Sequence, residues 1–309
     1  MTADFFKSFG AQIACHKAMT VGAVCIAITT ALWAAGDLSH RHQGSSHWRG
    51  SEQAGGTNAA ESTPTLKTAD GRSTGSGATL DDALKFGRKS LAALKPVADY
   101  TAVFTKSELI DGKLLTQTMD IKCRKQPFSV YLGNHRRGGK GREVIYVAGA
   151  NDGNILVHEA GLKSVIGTLH LKPDCPKVME TNRHPVTDVG LVRLIEMAMA
   201  MWEVDKREAD PAQVDVRFFH DVKVGTANCK EVQITHHQQR PKIGYQIGRV
   251  YVDNQTGFPI QAEVYGWPEQ SGEEAPLLEK YTYTDIKTNV GLTSRDFDPQ
   301  NADYHFVSR

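Results

Sequence analysis

The chain has 309 residues, 40% of them hydrophobic and 23% charged, with a formal net charge of +1. Near-neutrality with dispersed Lys and Arg argues against nucleic-acid binding, which needs concentrated positive charge to neutralise phosphates. Five cysteines, of which Cys15 and Cys25 fall in an N-terminal apolar region, leave an odd three for the folded part, which excludes a disulfide scaffold. Cys123, Cys175 and Cys229 read as buried thiols acting as small apolar residues. A Cys123–Cys229 bridge stays open only if their strands meet.

Lys7, His16 and Lys17 precede the uncharged run AMTVGAVCIAITTALWAAG, Ala18 to Gly36. A positive flank, an apolar stretch and small residues at its end describe an export signal, and the run nears the ~20 residues that span a bilayer. Its cleavage sites are only approximate, which puts an uncleaved signal anchor slightly ahead of a cleaved peptide. The positive-inside rule puts the rest of the chain outside the cytoplasm, in the periplasm or on the outer face of the inner membrane. Residues 37–78, rich in Gly, Ser, Thr, Ala and His, bury too little apolar surface to offset their ordering entropy and read as a tether. The expected organisation is therefore 1–36 signal, 37–78 tether and 79–309 a single β domain.

Thr79 reads as an N-cap, with Asp81 and Asp82 in the first turn of an amphipathic helix that Pro96 ends. Tyr100 to Ile110 and Leu114 to Cys123 flank Asp111-Gly112, a strong hairpin signal. Phe128, Val130 and Leu132 alternate with polar partners. Val144 to Ala148 and Ile155 to His158 flank the turn Asn151-Asp152-Gly153, and Thr168 to Leu171 is a further short strand. The loop Arg136 to Arg142 is basic but lacks Walker spacing. Thr187 is expected to cap a second helix reaching about Glu203, with Leu191, Leu194, Ile195, Ala198 and Trp202 on its core stripe. Met197, Met199 and Met201 broaden that stripe. Alternation over Val214 to Val224, Lys230 to His237, Tyr245 to Val252, Phe258 to Val264 and Leu277 to Ile286 completes roughly ten strands. That is too many for a flat open sheet and enough for a curved one. The fold class is mainly β, α+β, with two helices available to cover one face.

Three passages, PFSVYL, GREVIYV and GLTSRDFD, carry a resemblance to a bacterial exported family of unknown function, domain-of-unknown-function family 1571, over nearly everything after Leu80. More distantly, the Asp111-Gly112 hairpin and YVDNQTGFPIQAEV are similar to the periplasmic lipoprotein-localisation carriers. The resemblance implies a curved antiparallel sheet, an incomplete barrel, with a concave apolar face lidded by helices. In the carriers that hollow holds acyl chains. The chain departs from the soluble carriers in its N-terminal apolar run and long tether.

On this basis the leading expectation is an exported, membrane-tethered module binding a lipid or lipoprotein acyl chain. Met119, Ile121, Val130, Val216, Phe218, Ile234, Ile260 and Val264 would form the wall, and Leu194, Met197 and Met201 the lid. Each buried methylene contributes ~0.8 kcal/mol without polar specificity. The alternative is an envelope interaction protein with a filled core, using aromatics such as Tyr265, Trp267, Tyr281 and Tyr283. A hydrolase or metal-binding protein ranks below both. The many histidines fall into no HExxH, GxSxG or CxxC spacing, and the adjacent His236 and His237 point to opposite faces of a strand. No catalytic residue, metal or cofactor is expected.

Overall fold

The computed structural model describes residues 72–134, 141–270 and 272–306. The apolar run 18–36, the stretch 37–71 and most of the basic loop lie outside the described residues. Among the described residues no helix is long and apolar enough to cross a membrane.

Among the described residues twelve strands form one sheet, every neighbouring pair antiparallel. They are β1 (Arg72–Ala78), β2 (Asp99–Ile110), β3 (Lys113–Arg124), β4 (Ser129–Asn134), β5 (Glu143–Val147), β6 (Ile155–His158) and β7 (Thr168–Leu171), then β8 (Val214–Val224), β9 (Ala227–His236), β10 (Ile247–Asp253), β11 (Pro259–Tyr265) and β12 (Leu277–Thr288). Their order is β1-β8-β9-β10-β11-β12-β2-β3-β4-β5-β6-β7. Two meanders are thus joined side by side through the β12–β2 pair, and among the described residues the sheet ends at β1 and β7. It is an incomplete barrel. Strand β1 falls in the stretch that composition reads as tether, so the sheet begins before Thr79, through backbone pairing with β8.

Among the described residues three α-helices accompany the sheet: α1 (Leu80–Ala93), the single turn α2 (Pro176–Met179) and α3 (Leu191–Glu208). A Thr79–Asp82 capping box starts α1, as the sequence predicts. Thr187 does not start α3. It lies in a 3-10 turn, Val186–Asp188, and the cap is Gly190 at φ 121, which a side chain rarely tolerates. The helix also runs five residues beyond the expected Glu203.

The main core lies between these two long helices and one face of the sheet. It unites Leu84, Leu191, Ile195 and Trp202 with Phe104, Ile121, Val130, Val232 and Val250. The opposite face carries two smaller clusters. One gathers Phe219, Val222, Val224, Cys229, Tyr251 and Ile260, and the other packs Tyr131, Ile145 and Leu156 under Phe297 of the C-terminal segment. Cys123 belongs to the main core and Cys229 to the far face, so their strands do not bring them together, and both are free thiols. Unbroken alternation would have put Phe218, Val222 and Val224 on one face. A bulge at His220-Asp221, with Asp221 at φ 60, moves Val222 and Val224 to the other.

Candidate ligand-binding face and its buried ionic end

Cross-strand register arranges the helix-covered face in rungs. One runs Glu108, Glu279, Val264, Gly248, Ile234, Val216; the next runs Lys106, Tyr281, Ala262, Val250, Val232, Phe218. Each rung is charged or polar at β2 and β12 and apolar by β8 and β9.

The nominated residues divide by this register. Ile121, Val130, Leu194, Val216, Phe218 and Ile234 are buried in the main core, with Met119 and Met201 half-buried against it. Met197 and Val264 are half-buried outside that cluster. Ile260 is not on the wall. Tyr251 pairs with Gln261 and Val252 with Pro259, so Ile260 is the extra residue of a bulge and packs on the far face.

The two covering helices are held differently. In α3 the buried positions Leu191, Leu194, Ile195, Ala198, Trp202 and Asp205 keep one stripe. Both ends of that stripe are tied by buried hydrogen bonds. At the start, Gly190 N donates to Tyr283 Oη and Leu191 N to Tyr100 Oη, both at 3.0 Å, satisfying amides that the glycine cap leaves open. Burial pushes both phenols up, and Cys123 beside Tyr100 is likewise raised by burial, to about 11. At the far end Tyr245 donates its hydroxyl to Asp205 Oδ2, and His236 Nε2 lies 3.4 Å from Asp205 Oδ1 with its ring edge-on to Tyr245.

Helix α1 buries a small-residue stripe, Ala83, Gly87 and Ser90, beside Leu84. The gap at Gly87 admits α3: a Cβ there would lie 2.6 Å from Met199 Cγ and 3.2 Å from Trp202 Cζ3. Among the described residues α1 makes one hydrogen bond to the sheet and its turns, Ser90 Oγ to Gly257 O at 2.9 Å.

The ionic end is built from β2, β12 and residues 182–184. Lys106 Nζ donates to Glu108 Oε2 at 2.7 Å and to Asn182 Oδ1, and Tyr281 donates to Glu108 Oε1 at 2.6 Å. Arg183 Nε and His184 Nε2 reach Glu279 Oε2 at 3.0 and 2.9 Å. Burial opposes ionisation of Glu279, yet the His184 and Arg183 charges outweigh it and hold the carboxyl at about 2. Burial alone would lower His184; Glu279 beside it raises it instead. The arrangement pairs the buried Lys106, Glu108 and Glu279 with one another and with the half-buried Arg183 and His184 at the polar side of the apolar face. Sequence reasoning missed it, although Lys106 and Glu108 share a strand face with Tyr100, Ala102 and Phe104. Asp205 was missed for a related reason: it continues the apolar stripe three residues after Trp202.

Tyr281 and Tyr283, expected among surface aromatics, instead line the covered face, stacked on Phe104. Tyr265 lies on the other face in a second polar network, where Arg249 Nε donates to Gln233 Oε1 at 2.8 Å and Glu263 Oε2 accepts from the Tyr251 and Tyr265 hydroxyls at 3.1 and 3.0 Å. Neighbouring Glu231 is raised by burial to about 7. Among the described residues no group of three His, Cys, Asp or Glu side chains is placed to hold a metal ion.

Comparison with known proteins places the chain in a family. The profile of a family described as "Protein of unknown function (DUF1571)" matches residues 97–306. No curated protein matches by sequence. Among solved structures, a DUF1329 family protein from Desulfovibrio piger is 12% identical with a TM-score of 0.35, covering 72% of this chain and 98% of that one. Mycobacterium tuberculosis lipoprotein LppX is 11% identical with a TM-score of 0.40, covering 71% and 99%. A putative outer membrane lipoprotein-sorting protein domain from Vibrio parahaemolyticus is 10% identical with a TM-score of 0.29, covering 71% and 97%. Scores this low lend no support to any particular function. The family profile spans well over half of the sequence, from just before β2 almost to the C-terminus, and the chain belongs to family DUF1571.

Proposed function

We propose that this protein is a non-enzymatic, exported module, held at the outer face of the inner membrane by its N-terminal apolar run, that binds the acyl chain of a lipid or lipoprotein against the helix-covered face. One observation carries the reading. The apolar face is roofed by two helices, of which α3 is hydrogen-bonded to the sheet region at both ends, whereas α1, among the described residues, is bonded to it through Ser90 alone. The chain enters as α1 lifts and lies on the wall formed by Ile121, Val130, Val216, Phe218 and Ile234, with Met201 and Leu194 of α3 as the fixed part of the lid. Lifting α1 uncovers Leu84 and parts of Leu80, Phe86 and Leu91. At ~0.8 kcal/mol per methylene and roughly 1.5–3 kcal/mol per fully buried large side chain, an acyl chain of about ten methylenes offsets that loss.

A second reading has its own support. Ile121, Val130, Val216 and Ile234 are at most 3% exposed, as in an envelope interaction protein whose filled core only carries binding surfaces. Native mass spectrometry of the full chain, extracted gently from membranes, separates the two. A co-purifying lipid mass is expected. A clean apo mass in repeated preparations would overturn acyl binding and leave the filled-core reading.

A further inference from the structure

Away from the ionic cluster, beside the β8–β9 part of the covered face, stands a cation that among the described residues has no carboxylate partner. Lys230 is on the helix-covered side of β9, opposite Val252 and one step beyond Val232. Its Nζ stands 4.7 Å from the Phe218 ring centroid and 5.8 Å from that of Phe86, which meets Phe218 edge-on at 5.5 Å. Phe86 belongs to α1. The ammonium therefore sits where α1 meets the wall of β8 and β9, half-exposed. Among the described residues no carboxylate pairs with it. The nearest acidic neighbour along β10, Asp253, is engaged in its own turn, accepting from Thr256 Oγ1 at 2.6 Å and from Thr256 N at 3.1 Å. On the other side, the β8 bulge at His220-Asp221 lies opposite Lys230, and bulges concentrate where a strand re-aims side chains at a site.

We propose that Lys230 is the head-group anchor of this face, selecting acyl amphiphiles whose head carries a negative charge, carboxylate or phosphate. The inference rests on the acyl-binding reading above. The geometry gives the ligand a direction. Along these rungs the apolar floor gives way at β12 and β2 to the Lys106–Glu108 and Arg183–His184–Glu279 pairs, which disfavour an apolar tail there. At the Phe86–Phe218 end, where β8 carries β1 on its outer side, the aromatic pair and the half-exposed cation mark the junction of α1 with the apolar floor. The tail then runs from Phe218 along Val232 and Val250 beneath α1, and the head stays at the rim. The ammonium already lies over two rings, an arrangement that keeps its charge outward-facing without an ion partner.

The test uses the full chain and two probes of equal length, a dibrominated fatty acid and its methyl ester, read by quenching of tryptophan fluorescence at a pH where the acid is ionised. A hydrogen bond to a charged head predicts about tenfold tighter binding of the acid than of the ester. Lys230→Met should abolish that preference and leave ester affinity unchanged, and Lys230→Arg should keep it. Equal affinities in the unaltered protein, or a preference that survives Lys230→Met, overturns the anchor while the acyl-binding reading stands. Failure of both probes to bind the unaltered protein overturns both. Should Lys230→Met lose both probes, the Lys230→Arg and Lys230→Gln variants decide by the same ratio: preference kept by Arg and lost by Gln supports the anchor, and any other result overturns it.

Discussion

Helices α1 and α3 cover the same face of one sheet, and they differ less in apolarity than in how their polar groups are held. In α3 the first amides are received by two phenolic oxygens from β12 and β2, and Asp205 takes the Tyr245 hydroxyl at the other end. Among the described residues helix α1 satisfies its own N-terminus through Thr79 and Asp82, meets α3 through an exposed Asp81–Lys206 ion pair, and is hydrogen-bonded to the sheet and its turns only through Ser90. Hydrophobic burial alone does not make a cover immobile, since it is non-directional. Buried hydrogen bonds do, because breaking one leaves a desolvated partner at a cost of ~1–3 kcal/mol.

This contrast can be broken most strongly at Asp205. Asp205→Ala strands the Tyr245 hydroxyl and removes the neighbour of His236, and should destabilise the protein by ~3 kcal/mol in denaturant unfolding. Next comes the ionic end, which leads through residues 185–190 into α3. His184→Gln should cost ~2 kcal/mol, as for a hydrogen bond to a charged group, and its effect should depend on pH. Glu279 is held below its ordinary 4.5, so its contribution is present above 4.5 and is lost as pH falls toward about 2. His184 is raised above 6.5, so its contribution is full below 6.5 and is lost as pH rises through its folded value. The tie is therefore strongest between about pH 4.5 and 6.5, and the cost of His184→Gln should shrink in alkaline unfolding curves. Tyr283→Phe, which leaves the Gly190 amide without its acceptor, should cost ~1–2 kcal/mol and speed amide exchange in the first turn of α3. Ser90→Ala should cost under about 1 kcal/mol. Amide exchange sharpens the comparison with no substitution at all: α1 is expected to exchange faster than the pinned centre of α3, and equal protection would remove its role as the moving cover.

Much of the fold is legible in the chain because its signals are local. The Asp111-Gly112 turn has positive φ at both residues, 48 and 74, as a tight hairpin demands. Thr79 caps α1 with Asp82, and Thr168–Leu171 is a strand where alternation places one. The misreadings fall where the outcome depends on contacts distant in sequence. Val222 and Val224 change face at a bulge that nothing in a run of alternating valines announces, and Ile260 leaves the wall by the same device. Thr187 has the chemistry of a cap, yet the start of α3 is governed by Tyr100 and Tyr283, 91 and 93 residues away. Lys106 and Glu108 look like the frayed end of a strand until Asn182 and Tyr281 arrive to pair them.

By itself, then, the amino-acid order determined the antiparallel β class, the amphipathic helices, most turns and the apolar character of one face, because periodicity and turn chemistry act over a few residues. Tertiary structure alone decided which strands meet across the β12–β2 seam, which residues the bulges turn over, which carboxylates are buried with partners, and which helix is tied down. Those outcomes rest on long-range pairing and on the desolvation of polar groups, whose cost depends on what the rest of the chain places beside them.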